Sequence, residues 1–304
     1  MLKRMLAACL GLTVLAAPAM AQTMDVEEAE IGPAIWMLED EDNIAYILGT
    51  IHLLKPETEW RTEFFDEILS GADQVWFEAD VHSAEAQAQM QALVPQLGMN
   101  PQGVTLSSML SDDAKADMAT LAGRMGVPET AMMSSMDPLQ PWLASVSLAS
   151  TMAMAQGYDP QYGVEAALRP MIEPVTDDVR YFETAEQQLG FLSGLPRDVQ
   201  LRDLESALEQ SVEEPHLLDD LAMAWEVGDI DMIDHLINDR MKSDSPEMYQ
   251  ALIVNRNYDW GEQIDQIMMG DEDVLIAVGV GHLPGEDGLA EVLRNLGYGV
   301  WRVQ

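Results

Sequence analysis

Three polar residues stand where apolar runs end. Tyr46-Ile47-Leu48-Gly49-Thr50-Ile51 leads into His52, Gln74-Val75-Trp76-Phe77 into Glu78, and Val274-Leu275-Ile276-Ala277-Val278-Gly279-Val280-Gly281 into His282. Two neutral imidazoles and a carboxylate form a sound ligand set for zinc, manganese, cobalt or a similar divalent ion. An ion held there lowers the pKa of a bound water and polarises a carbonyl, which is the chemistry of hydrolysis. Glu78 fits either as a ligand or as the general base; the sequence leaves both open. A single Gly-x-x-His string is weak, because a histidine closing a strand is commonly a hydrogen-bonded structural residue. The signal is its repetition after two separate strands. Gly49 and Gly279 carry no side chain to hinder a close approach of backbone to metal or substrate. His82, placed where a helix begins, is a candidate for the layer behind the ligands.

Apolar patterning supplies the elements that must position these groups. Ala34 to Leu38 and Ile44 to His52 flank the turn-like Glu39-Asp40-Glu41-Asp42-Asn43 and predict a hairpin. Glu59 to Ser70 carries Phe64, Phe65, Ile68 and Leu69 at helical spacing, and Gln74 to Asp80 is a short strand. From Ser83 to about Met241 the chain is rich in Ala, Met, Leu, Gln and Glu with Pro and Gly breaks, so several helices are expected, interrupted by a brief Val179 to Phe182 strand. Pro246 opens a helical stretch to about Met269. Asp273 to Val280 reads as a buried strand, Leu289 to Leu296 as a helix closed by Gly297, and Tyr298 to Val303 as a last strand. The expected fold is α/β: a central mixed β-sheet built from the amino- and carboxyl-terminal segments, with a large helical insertion over about 83–241. In open α/β sheets ligands gather at the carboxyl edge of the strands, where the three polar residues would meet.

Lys3 and Arg4, the apolar run Met5 to Ala17 and the small-residue stretch Ala19-Met20-Ala21 have the layout of a signal peptide over residues 1–21. That leaves a single exported domain over 22–304, periplasmic or secreted, with no transmembrane anchor. Cleavage at Cys9 as a lipoprotein is the competing layout, but it leaves almost no apolar stretch before the cysteine. Cys9 is the only cysteine, so a mature chain from Gln22 has no thiolate chemistry and no disulfide. The formal charge of -38 repels nucleic acid and anionic lipid and argues against both as partners. The 22 methionines, visible at Met132-Met133-Ser134-Ser135-Met136, read as core fillers rather than copper ligands. Trp142, Trp225 and Trp260 read as anchors of helix packing.

Gly49-Thr50-Ile51-His52, Glu78 after its strand, Gly163-Val164-Glu165, Glu183-Thr184-Ala185-Glu186-Gln187-Gln188-Leu189, Asn255-Arg256-Asn257 and Val278-Gly279-Val280-Gly281-His282-Leu283 resemble the TraB/GumN family in order and spacing. The resemblance implies a fold similar to the ChaN and erythromycin esterase groups and a site grouping both Gly-x-x-His motifs with a glutamate and an arginine. In Tiki-type relatives it implies a metal-dependent peptidase. By that match His52, Glu78 and His282 carry over as metal ligands, and Glu78 and Arg256 as catalytic groups. Gly49, Glu165, Asn255 and Gly279 are secondary candidates. Many relatives have Asp where Glu165 stands, and animal Tiki-type proteins have Glu where Asn255 stands. The expected function is metal-dependent hydrolysis of a peptide or protein substrate; the alternative is a non-catalytic haem- or metal-binding envelope protein of ChaN-like type.

Overall fold

A computed structural model describes residues 31–41 and 43–304; the expected signal peptide and the start at Gln22 lie outside them. Alternation along strand β5 (Val274–Gly279) fixes the layers. Leu275 and Ala277 pack with Phe65, Val75, Leu168 and Trp225 on one face of the sheet. Val274, Ile276 and Val278 pack with Trp36, Ile47, Trp260 and Leu293 on the other. A strand covered on both faces needs apolar residues at successive positions, which is why this run is unbroken. Each Leu, Ile or Val buried there contributes about 1.5–3 kcal/mol of transfer free energy.

The sheet has six strands in the order β4-β3-β5-β2-β1-β6. They are β1 (Ile35–Glu39), β2 (Ile44–Thr50), β3 (Gln74–Ala79), β4 (Val179–Glu183), β5 and β6 (Val300–Arg302). β2, β5, β3 and β4 run parallel, while β1 is antiparallel to both β2 and β6. The mixed sheet and the hairpin are therefore as the sequence predicts. Five strands come from the two ends of the chain, and β4 comes from inside the helical middle, at the sheet's edge.

Local chemistry moves some boundaries. The first helix is Glu63–Gly71 rather than starting near Glu59, because the Thr62 side chain accepts from Phe65 N and caps it there. The last helix, Leu289–Leu296, ends at Gly297 with φ of 108°, a conformation that glycine adopts without strain. The helical middle holds a core of its own around Leu106, Met118, Leu121, Leu148 and Leu204, and Met132 and Met136 are buried in it. The helical run after Pro246 widens into an i→i+5 turn at Gln250–Val254 before the helix Asn255–Ile267. Such widened turns are frequent beside functional sites; this one leads straight into Arg256. No helix among the described residues is long and apolar enough to cross a membrane.

Candidate functional site

Four parallel strands end at one edge, and each delivers a polar group there. β3 brings Glu78, β4 ends on Glu183, β2 ends on Thr50 two residues before His52, and β5 ends on Gly279 before a tight turn to His282. Register holds them level: Thr50 lies opposite Gly279, and Ala79 opposite Glu183.

Arg256 ties this edge together. Its Nε donates to Glu183 Oε1 at 2.8 Å and its Nη2 to Glu183 Oε2 at 3.0 Å and Glu78 Oε2 at 2.5 Å. Nη1 reaches the Leu252 carbonyl at 3.3 Å and His282 Nε2 at 3.0 Å. All five guanidinium N–H groups are thereby engaged. The Trp260 ring lies 4.6 Å from Arg256 Cζ, and its Nε1 donates to Glu183 Oε1. Glu78 also accepts from Gly279 N at 2.6 Å and Gln188 Nε2 at 3.2 Å. A Cβ at Gly279 would stand 3.0 Å from Glu78 Oε1, so the glycine lets that carboxylate reach the backbone. Burial alone would raise Glu78, but the Arg256 charge overrides it and holds the group down to about 2. Glu183 goes the other way, pushed up by burial.

The tautomer of His282 follows from Asn257. Asn257 Nδ2 donates to the carbonyls of His282 and Asp287, at 3.0 and 2.7 Å, which fixes its amide orientation. Its Oδ1 therefore faces His282 Nδ1 at 2.7 Å, and Nδ1 must carry the proton. Nε2 keeps its lone pair, pointed at the Arg256 and Glu78 edge. Burial pulls the His282 pKa down to about 3, so the ring is neutral.

His52 stands in a different setting. Its Nδ1 lies 3.0 Å from Glu165 Oε1, a carboxylate that also accepts from the Thr50 hydroxyl. Glu165 raises it to about 9, which favours the charged ring at neutral pH, and 62% of the side chain is accessible. Glu165 is placed by the helix Val164–Ile172, whose first N–H bonds to Ile51 O at 3.0 Å. A Cβ on the preceding Gly163 would come within 2.0 Å of His52 O, so only glycine permits this docking. Gly163→Ala is accordingly expected to cost about 1–3 kcal/mol, the usual range for overpacking. A thermal melt unchanged from wild type would contradict the contact.

His52 and Glu78 line two chambers. One, of about 540 Å³, also holds Arg256, Gly279 and His282 and is walled by Val146, Leu218, Leu221 and Ile253. The other, of about 300 Å³, holds His82, Glu165, Arg169 and Tyr181. The helical middle thus supplies much of the wall of the cleft.

The TraB/PrgY/gumN family model matches residues 34–302. The chain belongs to the TraB/PrgY/gumN family. No curated protein and no solved structure matches it. The matched span takes in every strand of the sheet and every residue of the cluster described above.

Within that site Glu78, Arg256, His282 and Gly279 are brought into direct contact. Glu165 instead joins His52, and Gly49 serves the frame: its carbonyl accepts from Trp225 Nε1 at 2.8 Å. Asn255 stands apart from these groups. It is exposed and accepts from Gln250, because successive helical positions point about 100° apart and Asn255 falls outside the inward pair that follows it. Asn257, Glu183, Gln188 and Trp260 are partners the chemistry-bearing spacing did not single out. Glu183 and Gln188 fall within the Glu183-Thr184-Ala185-Glu186-Gln187-Gln188-Leu189 stretch that carries the family resemblance. Asn257 lay beside Arg256 in another.

The donor set fits a metal in part. His282 Nε2 and Glu78 Oε1 are 3.9 Å apart, less than twice a zinc–ligand bond of about 2.0–2.2 Å. His52 does not complete the set, and no three His, Cys, Asp or Glu side chains among the described residues are grouped to hold an ion. His52 Nδ1 faces Glu165 instead, and Arg256 Nη1 stands on the His282 Nε2 lone pair.

The His52–Glu165 pair has a pH signature. A histidine raised from an ordinary 6.5 to about 9 adds stability fully present below 6.5 and lost as pH rises towards 9. Solvent screens the pair, so the effect is modest. The 53 carboxylates impose a slope of their own, and Glu165→Gln is the control. The excess melting temperature of wild type over Glu165→Gln is expected to shrink from pH 6.5 to 9; growth over that range would contradict the charged pair.

Proposed function

We propose that the protein is an exported metal-dependent hydrolase acting on peptide-like carbonyl bonds. The observation that carries the reading is the neutral His282, its lone pair fixed by Asn257, beside an ionised Glu78 at the mouth of a largely apolar cleft. Glu78 and His282 would hold a divalent ion, and His52 would join them only if its ring turned away from Glu165. Such an ion, when bound, supplies polarisation of the carbonyl and acidification of water. A carboxylate held near 2 is a poor proton acceptor at neutral pH, which favours Glu78 as ligand over Glu78 as general base. Arg256 acts through Glu78 and His282, since its donors are all engaged. Val146, Leu218, Leu221 and Ile253 would take apolar side chains of the peptide.

A peptide-library digest with and without chelator tests this. Cleavage lost on chelation and restored by zinc, manganese or cobalt is expected. Absence of cleavage with every metal would overturn hydrolysis, and a Soret band on reconstitution with haem would favour the binding-protein alternative. The export reading rests on Lys3, Arg4 and the Ala19-Met20-Ala21 stretch. Amino-terminal sequencing of envelope protein is expected to begin at Gln22; a start at Cys9 would make it a lipid-tethered protein instead.

A further inference from the structure

The smaller chamber contains a cation that the site's internal chemistry does not use. Glu165 and Arg169 lie four residues apart in the helix Val164–Ile172, so they share a face, and the helix that seats Glu165 under His52 also carries Arg169 into the chamber. Arg169 is 40% accessible and its ion pair is loose: Nη2 lies 3.5 Å from Asp80 Oδ1. That same oxygen already accepts from His82 N at 3.1 Å and Ser83 N at 3.0 Å, so the arginine is its third and longest contact. Tyr181, whose hydroxyl Arg169 also reaches, lines the chamber beside it.

The other cations of the cleft are committed. Arg256 has every donor engaged, and His52 Nδ1 is paired with Glu165. Burial shifts His82 down, away from the charged form. Among the described residues lining the two chambers, Arg169 is the charged side chain with donors to spare. A protein of formal charge -38 repels anions at long range, so a carboxylate entering this cleft needs a local cation to hold it. A planar fork of N–H donors matches a carboxylate geometrically.

We infer that Arg169 is a specificity residue that reads a carboxylate of the substrate, on the side of His52 and Glu78 opposite the apolar wall. The inference rests on the hydrolase reading for the word substrate, and it deepens that reading by assigning a charge to one end of the bound peptide. The carboxylate is either the free carboxyl terminus or an acidic side chain near the scissile bond.

Binding measured without turnover separates this from catalysis. The probe is a short Ala/Leu peptide with an amino-terminal fluorophore, prepared as free acid and as carboxyl-terminal amide, and each again with one internal Glu or Gln. Wild type is expected to bind the carboxylate-bearing member of at least one pair about tenfold tighter, the range of a partly exposed charge-assisted hydrogen bond. The arm that shows the preference identifies its source. Salt should weaken it. In Arg169→Met the acid-to-neutral ratio should fall to about one, and Arg169→Lys, which keeps the charge without the fork, should retain part of it. Equal binding of both pairs by wild type would overturn the inference whether or not the variants fold, as would a preference that survives in Arg169→Met. Discrimination in binding with no cleavage of any peptide would end the hydrolase reading and leave Arg169 as the carboxylate reader of a binding site.

Discussion

Arg256→Ala is expected to lower stability by about 3–5 kcal/mol, the cost of leaving buried charges without their partner. The loss is large because one side chain serves two carboxylates. Without it Glu78 and Glu183 face each other in an enclosed setting with only Gly279 N, Gln188 and Trp260 as donors. A domain of this size should melt on the order of 10 °C lower. Arg256→Lys should recover little, because an ammonium cannot bridge two carboxylates and His282 Nε2 with a rigid fork. Glu183→Gln in the Arg256→Ala background should recover part of the loss by removing one of the two negative charges. A melting temperature within a degree or two of wild type in Arg256→Ala would show that the network does not hold the edge together.

His282→Ala is expected to abolish metal binding and peptide cleavage together, since it removes one of two donors already in register. Asn257→Ala tests the layer behind. It leaves Nε2 in place but frees the ring to change tautomer and orientation, and it should cost about 10–100-fold in metal affinity or activity, as loss of a partner behind a ligand usually does. A change in activity of less than twofold in Asn257→Ala, with the protein folded, would contradict the role given to that amide.

Much of this edge is legible in the sequence. The unbroken apolar run of β5 marks a strand covered on both faces, and the polar residues after β2 and β5 mark the ends that parallel strands bring level. What the sequence does not carry is charge state and partnership. Nothing in Gly163-Val164-Glu165 says that a missing Cβ lets this helix dock on the His52 backbone, or that Glu165 then favours the charged form of His52. The family resemblance gives Arg256 as a catalytic group, and only the count of its five engaged donors shows that it binds the edge together. Asn255 and Asn257 are equivalent in composition, and only the helix's rotation decides which one faces His282. β4 was visible as a short strand, but its place at the edge, putting Glu183 on Arg256, depends on packing between residues far apart in the chain.

The central proposal is that Glu78 and His282 would hold a divalent ion. Calorimetric titration of metal-free protein with zinc tests it most directly. One site per chain is expected in the wild type, strongly weakened in Glu78→Gln and absent in His282→Ala. A wild type that binds no zinc, manganese or cobalt, or a site that survives undiminished in both variants, would contradict it.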